Sequence, residues 1–138
     1  MTEGEISPEQ APATATTPVS PRVAVLSRDL FFGMRIRTTL RQMGYGVDIA
    51  QDASAYTEHL EGNGTPACLG LVDFNFPVDW DAVKGTLAAG VPTIAFGPHK
   101  DVEGFRAAKQ IGVTRVISNG EFSRSLPDLV ARYSTKPA

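Results

Sequence analysis

The chain has 138 residues, 42% of them apolar, which suits one domain with a core of its own. Its net charge is −2, and with Glu3, Glu5 and Glu9 set aside the stretch from Arg22 onward holds 13 basic and 12 acidic residues. A near-neutral domain without a basic block argues against nucleic-acid or membrane-surface contact, and no segment approaches the ~18 apolar residues of a membrane span.

Residues 1–21 form an expected disordered tail, where Pro8, Pro12, Pro18 and Pro21 interrupt Ala, Thr, Ser and Glu. The start of the chain has no basic region followed by an apolar core, so a cytoplasmic location is expected. Val23–Leu26 reads as the first strand and Ser27-Arg28-Asp29 as its exit. Asp29 caps a helix with Phe32, Ile36, Leu40 and Met43 inward, ended by Gly44. Tyr45–Ile49 is a second strand, and Asp52 caps a helix carrying Tyr56 and Leu60.

Cys68–Val72 is an unbroken apolar run, as in a parallel strand covered on both faces. Cys68 is the single cysteine, which excludes an internal disulfide; a buried, inert thiol is expected. Asp73 falls where this strand ends, the edge at which ligands gather in open α/β sheets. Read alone, it equally well starts a turn with Asn75 and Pro77.

Asp79-Trp80-Asp81 opens a helix with Val83 and Leu87, closed by Gly90. Val91–Phe96 is the fourth strand, and Asp101 caps a helix with Val102, Phe105 and Ile111 inward. Val113–Ile117 is the fifth strand, followed by a Ser118-Asn119-Gly120 loop. Ser125 then caps the last helix, with Pro127 in its first turn and Leu126, Leu129, Val130 and Tyr133 as its stripe. Residues 134–138 are a short C-terminal tail. Five βα units in alternation predict a parallel sheet with helices on both faces.

Residues 22–133 resemble the receiver domain of bacterial response regulators, on three features. These are the five βα units, Gly44-Tyr45 closing the first helix, and L-V-D-F-N-F-P matching the family's D-x-N-x-P after the third strand. The resemblance implies a flavodoxin-like (βα)5 fold, a doubly wound parallel five-stranded sheet of order 2-1-3-4-5. It also implies Asp73 as the position that accepts a phosphoryl group from a histidine kinase.

The rest of the pocket departs from the family. Ser27 and Arg28 fall where receivers carry the pair of acids that bind Mg²⁺, and Asp29 lies one residue late. A hard cation needs carboxylate oxygens, so no cofactor and no bound Mg²⁺ are expected. The family's Ser or Thr after the fourth strand falls on Gly97, its Lys after the fifth on Asn119, and its switch aromatic on Val116. Phosphoryl transfer works by positioning and charge neutralisation, for which little remains. Arg28 is expected to reach Asp73 and fill the space of metal and lysine.

Other motifs carry less. His59 and His99 lie on different elements without ligand spacing, and no G-x-G-x-x-G follows the first strand. Phe31 and Phe32 cannot both face the sheet, which leaves Phe31 exposed. Trp80 is expected as a lid over the Asp73 turn.

The favoured reading is therefore a degenerate pseudo-receiver, a non-enzymatic interaction module. Its expected partner is another signalling protein or one related to histidine kinases, with a homodimer compatible. Contact would run through Phe31, or through Phe105, Arg106, Leu126 and Tyr133. Two alternatives stay open: a working phosphoacceptor at Asp73 with atypical chemistry, and a flavodoxin-like binder of a small ligand.

Overall fold

The computed structural model describes residues 21–62 and 64–135; residues 1–20 of the expected tail and 136–138 lie outside them. Five strands, β1 (Arg22–Leu26), β2 (Gly46–Ala50), β3 (Leu69–Asp73), β4 (Thr93–Gly97) and β5 (Arg115–Ser118), alternate with five helices. The helices are α1 (Leu30–Gln42), α2 (Ala53–Glu61), α3 (Trp80–Thr86), α4 (Val102–Ile111) and α5 (Asn119–Tyr133). All neighbouring strands run parallel, in the order β2-β1-β3-β4-β5.

Period-two alternation divides the core. Val23 and Val25 of β1, Leu69 and Leu71 of β3, and Ile94 and Phe96 of β4 face α1 and α5. Ala24, Leu26, Val72 and Ala95 point the other way, toward Tyr56, Leu60 and Val83 of α2 and α3 and Ala108 of α4. Every residue of β3 and β4 is buried, which is why these strands read as unbroken apolar runs. Each large buried aliphatic contributes about 1.5–3 kcal/mol relative to exposure. Asp29, Asp52, Asp79 and Asp101 each accept a backbone N–H in the first turn of their helix, as their positions predict.

Several boundaries differ from expectation. β2 and β3 run one residue later, and β4 and β5 two residues later at their start; flanking Tyr45, Cys68, Val91 and Val113 pack against the core ahead of the paired strand residues. The last helix starts at Asn119, with no loop before it, and Ser118 rather than Ser125 is its cap, accepting from Glu121 N at 3.2 Å. Pro127 therefore sits inside the helix. Packing overrides the proline: the stripe Phe122, Leu126, Leu129 and Val130 is continuous and buried, while Pro127 faces solvent. Val102, expected inward, is 61% exposed because it sits in the first turn of α4, ahead of the sheet contact. The described part of the C-terminal tail is tied down: Thr135 N donates to Cys68 O at 2.9 Å, and the Ser134 and Tyr45 hydroxyls meet at 3.1 Å.

Candidate functional site

The carboxyl ends of β1, β3 and β4 bring Ser27, Asp73 and Gly97 to one edge of the sheet, beside the first turn of α5. Ser27 and Asp73 are each only 2% exposed. The Ser27 hydroxyl donates to Asp73 Oδ2 at 2.7 Å and accepts from Asp29 N at 3.2 Å. Asn75 supplies two donors to Asp73 Oδ1, its backbone N–H at 2.8 Å and its side-chain amide at 2.6 Å. A buried carboxylate without such donors would be strongly destabilising, so the local sequence D-F-N is the site's own means of holding the charge.

Asn75 in turn pairs reciprocally with Asn119. Its Nδ2 donates to Asn119 Oδ1 at 2.9 Å, and Asn119 Nδ2 donates back to Asn75 Oδ1 at 2.8 Å. Three strand exits are thus connected, Ser27 to Asp73 to Asn75 to Asn119, with neutral donors around the one carboxylate. A cleft of about 460 Å³ opens beside them, lined among others by Arg28, Gln51, Ser54, Asp73 and Phe76.

Arg28 does not reach Asp73 as expected. It is exposed, and among the described residues it makes no salt bridge. The serine hydroxyl occupies Oδ2 instead, and an arginine in water avoids the desolvation that pairing there would require. Asp29 is also committed elsewhere, since Oδ1 accepts from Phe32 N at 2.9 Å as the cap of α1. The residues present do not fit Mg²⁺: one neutral hydroxyl, one guanidinium, one capping carboxylate and one carboxylate already holding three donors. Among the described residues no cluster of three His, Cys, Asp or Glu side chains is placed to hold a metal.

No protein-family model matches the chain, and no curated relative does. Solved structures match closely in shape: a response regulator receiver protein from Pseudomonas putida superposes with TM-score 0.70 at 18% identity, covering 84% of this chain and 99% of its own. The chemotaxis protein CheY4 of Vibrio cholerae gives 0.69 at 16%, with 83% and 99% covered. The fold is that of a response-regulator receiver domain. A CheY-like receiver domain protein from Methanospirillum hungatei gives 0.70 at 18%, with 83% and 93% covered.

Within that receiver fold the remaining candidates separate. Gly97 ends β4 and is fully enclosed, because the ring of Phe74 lies against it. Phe31 is 87% exposed on the first turn of α1, beside Leu30 and Met34. Phe105 is half-buried, and Arg106 is exposed and pairs with Glu103 at 3.0 Å. Leu126, expected on a contact surface, is buried in the core under α5 and offers no surface. Tyr133 is half-buried, its hydroxyl accepting from Arg115 at 3.0 Å. Trp80 covers Phe74, with ring centroids 5.8 Å apart, and so lids the aromatic beside Asp73. Phe74 and Phe122 were not singled out by sequence. The available signal for Phe74 was a pair of glycines, Gly97 and Gly104, inside a strand and a helix where neither serves a turn.

Proposed function

We propose that this receiver-fold chain is a signalling module that works by constitutive protein–protein contact, a pseudo-receiver in which Asp73 takes no part in phosphoryl transfer. One observation carries the reading: both Asp73 oxygens are occupied by donors from Ser27 and Asn75, beside a cleft whose one lining cation among the described residues, Arg28, is exposed and makes no salt bridge. Phosphoryl transfer depends on cations placed to neutralise the equatorial oxygens, and among the described residues the partners of this carboxylate are a hydroxyl and an amide. The module acts without enzymatic activity, cofactor or Mg²⁺, in the cytoplasm. Its partner is another signalling protein, a histidine-kinase-related protein or a second copy, met through Phe31 on α1 or Phe105 and Arg106 on α4.

The test is an amide NMR titration with Mg²⁺ and then beryllofluoride, alongside intact mass after incubation with acetyl phosphate. Unchanged Asp73 and Asn75 resonances and no added phosphoryl mass are expected. Saturable shifts at both residues with sub-millimolar affinity overturn the reading. They would favour the working phosphoacceptor instead, whose supporting observation is that Asp73 borders the open cleft with Arg28 at its rim.

A further inference from the structure

Phe74 follows Asp73 directly and is 4% exposed. Its N–H donates to Phe96 O at 2.9 Å, which fixes its backbone on β4. The ring then turns away from the Asp73 cage, into the joint between the sheet and α4. A Cβ built on Gly97 would collide with three atoms of that ring. A Cβ on Gly104, in the first turn of α4, would stand 2.6 and 2.7 Å from two of the same ring atoms. Neither glycine has a positive φ, so both positions require the missing side chain for space and not for backbone freedom. Phe105 of α4 meets the ring edge-on, centroids 5.4 Å apart at 89°, and Trp80 of α3 closes the fourth side.

We propose that the Phe74 ring is a wedge that seats α4 on the sheet and holds α4's outer face in one arrangement, uncoupled from events at Asp73. The proposal rests on the interaction-module reading and names how its surface is regulated, by fixation. Packed interiors do not deform gradually, so α4 moves only if the ring leaves its slot. The Asp73 hydrogen bonds run to Ser27 and Asn75, and onward from Asn75 to Asn119; none of them touches α4. At the end of β4, Gly97 offers no side chain through which Asp73 could pull. The Phe74 side chain stands between the two regions, and it is clamped on four sides.

Amide hydrogen exchange on the full chain tests the wedge. In Phe74→Ala, the ratio of exchange rates in Val102–Ile111 to those in Ala53–Glu61 should rise at least tenfold. In Phe122→Ala, the same truncation on the opposite face, it should stay within twofold. A ratio within twofold in Phe74→Ala overturns the proposal. The uncoupling is read by Asp73→Asn, whose amide shifts should stay within residues 27–29, 73–76 and 118–120. In the Phe74→Ala background they should spread to Phe105, Arg106 and Lys109. Shifts at those α4 residues from Asp73→Asn alone overturn the uncoupling. Both outcomes are independent of the beryllofluoride titration, so either reading can fail without the other.

Discussion

Ser27 and Asp73 face each other across the β1–β3 seam, hydroxyl to carboxylate, at 2.7 Å and almost out of solvent. A neutral donor thus stands against the charge at a position where sequence reasoning expected Arg28. Removing it leaves a buried carboxylate oxygen without a partner. Ser27→Ala should therefore cost about 1–3 kcal/mol in urea unfolding. Arg28→Ala, exposed and unpaired among the described residues, should stay within about 0.5 kcal/mol. The reverse order would show that the arginine, not the serine, holds Asp73.

At the opposite edge of the sheet, Arg22 joins three segments. It reaches Asp48 Oδ2 and His59 O, each at 2.9 Å, and Thr65 O at 2.7 Å. His59 O is one of the carbonyls left without an intrahelical partner at the end of α2. Arg22→Met, which keeps the stem but removes the donors, should lower stability by about 1–2 kcal/mol. Arg106→Met breaks only the exposed pair with Glu103, and a change of no more than about 0.5 kcal/mol is expected. Equal effects of the two substitutions would contradict this ranking.

Pro127 leaves the N–H slot opposite Ser123 O empty inside α5, on the solvent side. Pro127→Ala should restore a helical hydrogen bond without disturbing the buried stripe. A gain of about 1–2 kcal/mol is expected, part of the interior penalty of proline being offset by the freer unfolded chain. A lower melting temperature in the variant would refute the packing account of the helix.

Burial raises the Tyr56 hydroxyl well above its ordinary value, with the Thr93 hydroxyl tempering the shift slightly. Thr93 donates its own proton to Val91 O at 3.1 Å, and the Tyr56 oxygen has no well-aligned partner among the described residues. Burial likewise raises the Cys68 thiol. Both groups are neutral acids that the unfolded chain ionises first. Stability should be complete below about pH 8.5 and fall above it, through Cys68 and then, from about pH 10, through Tyr56 at ~1.4 kcal/mol per unit. Tyr56→Phe should flatten the limb above pH 10 and leave neutral-pH stability equal or higher. Urea midpoints at pH 7, 9 and 10.5 decide it; an unchanged slope in Tyr56→Phe rejects the assignment.

Strands and caps were legible because each rests on local chemistry. The unbroken run Leu69–Val72 identifies a strand covered on both faces, and four aspartates mark four helix starts. The α5 start was misread because Ser118 and Ser125 are equally good caps by type. Only the fit of Phe122, stacked on Phe96 at 3.9 Å, decides between them. Asp73 was found by position, but its partner was not, since whether a side chain turns inward depends on desolvation across two strands. Gly97 was read as a missing hydroxyl; in the fold it is also a space that Phe74 requires, a relationship between residues far apart in sequence.

Arg22 O accepts from Cys68 N at 2.8 Å, and Cys68 O accepts from Thr135 N at 2.9 Å, so both ends of the described chain leave beside the same residue. The domain hangs from a single pole, and its Asp73 edge points away from that anchorage. A fluorescent protein or another domain joined directly at Pro21 or Thr135 would swing beneath the sheet and leave the far pole free to meet other molecules. Joining the two ends by a short linker would likewise leave the far pole untouched, making the fold a natural cassette for insertion into a loop of a host protein.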